Sequence, residues 1–264
     1  MMSTLRAHSW VLGLATVVLV LAFWQVMPQF GYIDRLMVPP AGDAILHFFY
    51  EWADPHFYVD LASTLMRIIG GFLLAAAIGI PAGLAMGYWT LGFRMFSLTI
   101  DVIRPLPSTA LVPIAALIFG IGNGMHIFII VLATTVPILL ATIDGVHGVD
   151  PLLIDSARTL GQSTSRIFRT VLLPAAMPRI ATGLRVAIAI ALIVGISSEM
   201  MMSADGLGRR VVYAQRMLHI PDLYAGVLTL AILGFCLNRA FLFAEGKVIG
   251  WHRGATKSDA PSNP

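Results

Sequence analysis

Six stretches of this chain are apolar over lengths that suit a lipid bilayer, and their spacing constrains the fold more than any single motif. Residues 10–27, 68–86, 127–143, 186–202 and 223–244 each reach the ~17–25 residues that a membrane helix needs, and a sixth stretch, 101–121, is interrupted. Of the 264 residues, 58% are hydrophobic and only 12% are charged, against a soluble norm of roughly 25% charged. A water-soluble fold of this size could not hide so much apolar surface. The expected fold class is all-α: a polytopic membrane protein with about six transmembrane helices.

The first run follows Arg6 and ends in Phe23-Trp24-Gln25-Val26-Met27-Pro28, with no small-residue cleavage site, so it reads as a retained span rather than a signal peptide. Lys and Arg counts then set the orientation. With the N-terminus inside, the inner segments hold eleven (Arg6, Arg94, Arg104, Arg158, Arg166, Arg169, Arg179, Arg185, Lys247, Arg253 and Lys257). The outer segments hold five, namely Arg35, Arg67, Arg209, Arg210 and Arg216, and Arg239 lies within the last span. Both termini are expected in the cytoplasm, with the chain multi-pass in the inner (plasma) membrane. The expected division is a first span at 1–27, an outer loop with a short amphipathic helix at 28–60, a transmembrane core at 61–246 enclosing a polar inner loop at 145–180, and a disordered cytoplasmic tail at 247–264.

In the outer loop, Asp43 is placed to cap a helix carrying Ile45, Leu46, Phe48 and Phe49. The next span is rich in small residues (Gly70, Gly71, Ala75, Gly79, Ala82 and Gly83 among them), which lets helix backbones approach closely, so it belongs inside a bundle. The interrupted span carries Arg104-Pro105-Leu106-Pro107 and then Pro113. Prolines remove backbone donors, tolerable at membrane depth only where the chain is shielded or lines a wet cavity. Two readings fit: a bent helix beside a pore, or a merely kinked packing helix. Asp101 and Arg104, three apart, could pair on one face.

The polar loop at 145–180 reads as two short helices. Asp150 is an N-cap with Pro151 at the first helical position, Leu153, Ala157 and Leu160 share a face, and Gly161 suits a left-handed closing residue. Ser163 or Thr164 caps a second helix, which Pro174 is expected to stop. Such a hairpin is either a lipid-interface anchor or a docking knob for a soluble partner.

Asp155-Ser156-Ala157, three residues, Gly161, nine residues and Val171-Leu172-Leu173-Pro174 resemble the Glu-Ala-Ala loop of permease subunits from binding-protein-dependent ABC importers. The spacing fits throughout, while Asp replaces Glu and Ser replaces Ala. Val38-Pro39-Pro40, Arg104-Pro105-Leu106-Pro107, Phe119-Gly120-Ile121-Gly122, Glu199 and Gly206-Leu207-Gly208 extend the similarity toward the nitrate, sulfonate and taurine branch. The resemblance implies a type I importer-permease fold whose loop residues Asp155, Ser156, Ala157, Gly161, Val171, Leu173 and Pro174 dock in a cleft of an ATPase. It also implies two ATPase copies, a second permease copy in a homodimer, and a periplasmic or lipid-anchored solute-binding protein. The cargo it implies is a sulfonate, nitrate, taurine or other small organic anion, with a non-anionic pyrimidine precursor as the alternative.

Candidate pathway or gate positions are Arg104, Pro105, Pro107, Glu199, Gly206 and Gly208. Glu199 admits a second reading as a helix-end carboxylate paired with Arg209 or Arg210. Arg209 and Arg210 would otherwise concentrate an anionic cargo at the outer face. No metal site is expected, because Met200, Met201 and Met202 have no accompanying His or Cys. The lone Cys236 reads as a small buried hydrophobe.

Other function classes fare poorly. No Gly-x4-Gly-Lys-Ser/Thr phosphate cradle occurs, so ATP and its Mg would be bound by the partner ATPase, and this chain holds no cofactor. The seven histidines show no metalloenzyme spacing, so an enzyme is not expected. Basic residues form no stripe with interleaved aromatics, which argues against nucleic acid. A secondary transporter would carry inverted repeats or several buried ionisable residues, and the sequence displays neither.

Overall fold

The computed structural model describes residues 2–31 and 33–248, and the regular elements among them are all helical. In chain order these are α1 (Met2–Gln29), α2 (Ala41–Ala53), α3 (Pro55–Tyr88), α4 (Thr90–Ile103), α5 (Val112–Phe119) and α6 (Asn123–His147). The short α7 (Pro151–Thr159) and α8 (Thr164–Ile167) follow, then α9 (Leu173–Met201), α10 (Leu207–Arg216) and α11 (Ile220–Val248).

Among the described residues four helices are long and apolar enough to cross a membrane: α3, α6, the continuous run Thr164–Met201, and α11. A fifth crossing needs α4 and α5 to count together, since they are bent by 80° at the proline break. α1 is itself 28 residues long, and its described apolar part is Ala15–Gln29. The interrupted span also begins earlier than the hydropathy suggests. Its helix starts at Thr90, which puts the break at residues 104–107 near its middle, where Pro105 and Pro107 withdraw two backbone donors.

The core is a three-helix stack with α6 between α3 and α9. Small residues at Gly71, Ala75, Gly79, Gly83 and Gly87 recur every fourth position of α3 and so form one stripe along that helix. Against it lie Ile130, Ile138, Thr142 and Val146 of α6: a Cβ on Gly83 would sit 2.6 Å from that of Thr142, and one on Gly87 2.7 Å from that of Val146. Close backbone approach of this kind maximises van der Waals contact where lipid supplies no hydrophobic driving force. On the other side Gly183 of α9 meets Ala141 of α6.

Pro174 does not stop a helix, contrary to the sequence expectation. Residues Phe168–Leu172 widen into a π-turn that leads straight into α9, with Pro174 in its first turn. The wider turn accommodates a ring that would clash with the preceding turn of a regular α-helix. Asp43 is not a cap either, because α2 begins two residues before it and leaves it in the first turn, where the helix dipole favours an acid. Cys236 is exposed rather than buried, on a helix of which little is covered by the rest of the bundle. The tail expected from 247 lies outside the described residues except for Lys247 and Val248, which finish α11.

Candidate functional site

One end of the bundle carries the hairpin of α7 and α8. Asp150 caps α7 by accepting from the Leu152 amide at 2.9 Å. The far end closes in a Schellman motif, with Gln162 N donating to Ala157 O at 3.2 Å and Gly161 N to Arg158 O at 2.9 Å, while Gly161 sits at φ +72°. The helix is thus fixed at both ends by local chemistry. Its attachment to the bundle differs from the periodicity argument. Ala157 is 5% exposed and Ile154 packs toward Leu172 and Val146, whereas Leu160 is 78% exposed and Leu152 and Leu153 are also open. The inward face is therefore Ile154 and Ala157, and Leu152, Leu153 and Leu160, with Ser156 among them, form an outward, mostly apolar face one side of a turn wide. Asp155 is exposed and pairs only within the helix, with Arg158 at 3.3 Å. Leu172 is buried, and Val171, Leu173 and Pro174 lie half-buried where α9 begins.

Beside the hairpin, a cavity of about 720 Å³ opens between the α4–α5 break, α6 and α9. On α6 it extends from Leu132 to Asp144, or about 18 Å along the axis. Arg104 lines it, whereas Pro105 and Pro107 shape the bend without lining it, their neighbours Leu106 and Ser108 doing so instead. Asp101 and Arg104 form no ion pair: both are exposed, and Arg104 caps the end of α4 just where the chain turns away.

The opposite end is closed by a buried polar cluster that the sequence reading missed. Arg67 and Glu199, with side chains 3% and 1% exposed, meet at 2.8 Å. Arg67 also donates to Asn123 Oδ1 at 2.7 Å, to Ser203 Oγ at 3.2 Å, and to both the backbone oxygen and the carboxylate of Asp205. The partner of Glu199 is thus Arg67 rather than Arg209 or Arg210, and ionisable residues are buried here after all. Their signal was legible: Asp60, Thr64 and Arg67 follow the i, i+4, i+7 spacing of one helix face just ahead of an apolar run.

These side chains cap α10. Gly206 N donates to Asp60 Oδ1 at 2.6 Å, Leu207 N to Thr64 Oγ1 at 2.9 Å, and Gly208 N to Glu199 Oε2 at 3.0 Å. Three orphan amides of a helix start are satisfied, and two acids sit at its positive end. Gly206 is held at φ +107°, and a Cβ there would lie 2.6 Å from the Glu199 carboxylate. One on Gly208 would meet Ile196 O at 2.6 Å. The structure therefore brings Glu199, Gly206 and Gly208 together in a packed closure, far along the bundle from Arg104, Pro105 and Pro107.

Arg210 faces three acids, Asp54 at 3.0 Å, Asp60 at 3.2 Å and Glu51 at 4.0 Å, and Arg209 approaches Asp60 at 4.0 Å. Arg210 is thus already engaged by acids, while Arg209, 40% exposed, stands at the edge of ion-pair distance from Asp60. Burial pushes the Glu51 carboxyl up to about 7 although Arg210 pulls the other way. His47 of α2 meets Asp222 of α11 at 2.6 Å, and Trp24 Nε1 of α1 donates to Pro39 O at 3.0 Å, so the short α2 is tied to both neighbours.

An all-helical bundle with a surface hairpin at one end, a cavity behind it and a closed polar cluster at the other defines a membrane permease subunit. Residues 75–247 match the family described as binding-protein-dependent transport system inner membrane component, and the chain belongs to that family. It is 30% identical to the taurine transport system permease protein TauC of Escherichia coli K12, over 91% of this chain and 90% of the relative. The nitrate import permease protein NrtB of Leptolyngbya laminosa is 28% identical over 81% of this chain and 77% of its own. A solved chain of the MetNI methionine ABC transporter, in inward facing conformations, shares the fold with a TM-score of 0.62 at 18% identity, covering 73% of this chain and 94% of its own. The chain is the permease of an ABC importer.

Proposed function

We propose that this permease moves a small solute with an oxyanion group, a sulfonate, taurine or nitrate, across the inner membrane, with α7 as the element through which a separate ATPase drives it. The outward apolar face of α7 carries this reading, because Leu152, Leu153 and Leu160 are held in the open by a helix pinned at both ends. The named substrates of the relatives support the cargo class. The Lys and Arg distribution supports an inner location for the hairpin, with both termini cytoplasmic. ATP and Mg are bound by the partner, which engages as two copies beneath a homodimer of this chain, and a periplasmic or lipid-anchored binding protein delivers the solute. In that frame the cavity opens inward, and the Arg67–Glu199 cluster seals the outer side. Asp155, Ser156 and Gly161 belong to the docking element, with Val171, Leu173 and Pro174 at its junction with α9.

Gly161→Val tests the coupling. A β-branched residue at φ +72° is strained by about 1–2 kcal/mol, and the Schellman closure that aims α7 would be lost. Uptake in vesicles should fall at least tenfold while insertion and folding persist. Undiminished uptake, or labelling of Ser156→Cys from the outer side by a membrane-impermeant maleimide, would overturn the assignment.

A further inference from the structure

We infer that the cavity behind the hairpin is a solute site that reads an anionic head group through Arg104 and a short apolar body through the walls of α6 and α9. The inference rests on the permease reading and goes beyond it by naming the site and its selectivity. Its volume of about 720 Å³ falls inside the ~300–1,000 Å³ range of small-molecule sites. Leu132, Val136, Leu140, Val186 and Ile190 make the walls largely apolar, with Ser108 and Thr182 as their uncharged polar groups.

Three charged residues line the cavity: Arg104, Arg179 and Asp144. Arg179 is already committed, for its guanidinium donates to Asp144 O at 3.0 Å and lies against Gly148 at the end of α6. Arg104 differs. Among the described residues no carboxylate lies within ion-pair distance of it and no hydrogen bond engages its guanidinium, so its donors are available. The proline break that follows holds it at the cavity wall, since Pro105 and Pro107 prevent α4 from continuing past it. A planar fork of donors suits a sulfonate or carboxylate. The apolar walls add something a bare inorganic anion cannot use: affinity rises roughly fourfold for each methylene buried.

The selectivity is testable by site protection in the assembled transporter, reconstituted with its ATPase in nanodiscs. Ala133→Cys, placed in the cavity wall on a Cys236→Ser background, is labelled with a soluble maleimide in the presence of ethanesulfonate, butanesulfonate, hexanesulfonate, nitrate or butanol. Half-protection should need roughly fourfold less sulfonate per added methylene, with nitrate and butanol at least a hundredfold weaker than hexanesulfonate. Arg104→Gln should weaken sulfonate protection by roughly tenfold to a hundredfold and leave butanol unchanged, and Arg104→Lys should restore part of it. Equal protection by butanol and butanesulfonate would overturn the proposal, as would labelling that no solute alters, or a cysteine sealed from the reagent by lipid or a second copy. Uptake by the same variants in proteoliposomes separates the two readings. Lost protection with Gly161-dependent uptake intact sinks this site alone, and intact protection with uptake indifferent to Gly161→Val sinks the coupling alone.

Discussion

The two short helices at opposite ends of the bundle, α7 and α10, end in the same way and begin differently. Each closes in a Schellman motif. At α7 the left-handed position is Gly161, and at α10 it is Leu218, with His219 N donating to Ala214 O at 2.9 Å and Leu218 at φ +55°. At their starts, α7 relies on its own Asp150, whereas α10 has its first amides capped by Asp60, Thr64 and Glu199 from α3 and α9. A helix capped by its own chain can move as a unit when something pulls on it. A helix capped by two other elements moves only if those elements part. The contrast fits the proposed roles of α10 as a closure and α7 as a handle, built from nearly the same local vocabulary.

The sharpest way to break that contrast is to remove Arg67. Arg67→Met strands Glu199 as a buried unpaired charge and frees Asp205 and Asn123, with an expected loss of about 3–5 kcal/mol, read as a large drop in melting temperature in detergent. Gly161→Val in the hairpin should by comparison lower the melting temperature only by its local strain of about 1–2 kcal/mol, while uptake fails. If both variants melt alike, the two ends are not the different devices described.

Glu51 sharpens the comparison through pH. Its carboxyl, which binds α2 toward α10, titrates near 7 in the folded protein against 4.5 when solvated, because burial favours the neutral acid. The folded state therefore holds the proton more tightly, and its stabilising effect is complete below about 4.5 and is lost as pH rises through about 7. Glu51→Gln should flatten the decline of melting temperature over that window. The change amounts to less than one full proton, since the partial hydration of Glu51 screens it. A decline equally steep in the variant would show that other groups cause it.

The smallest effect is expected at Leu218. It is exposed and pays a left-handed penalty that glycine avoids, so Leu218→Gly should raise stability by about 1 kcal/mol. No gain would mean that the turn is already relaxed by its surroundings.

Much of this was legible in the chain. The start of α7 at Pro151 and the left-handed Gly161 follow from residue types whose backbone preferences are local. The small-residue stripe of α3 announced close packing for the same reason. What failed were readings that need a partner to be known. Leu153, Ala157 and Leu160 share a face by spacing, yet the bundle buries only Ala157 of the three and takes Ile154 beside it. Pro174 looked like a stop, yet a π-turn carries the helix past it. Arg67 looked like an outer-loop charge, yet it sits at the centre of the closure, paired with a glutamate 132 positions away.

The sequence alone therefore determined the membrane class, the family and the existence of a hairpin with defined ends, because hydropathy, proline and glycine act through the residue itself and its near neighbours. Only the tertiary structure decided which face of α7 is left open, which arginine neutralises Glu199, and that Arg104 lines a cavity with no carboxylate paired to it among the described residues while Arg210 faces three. Charge pairing and burial are properties of approach between distant segments, and approach is fixed by how α3, α6 and α9 pack.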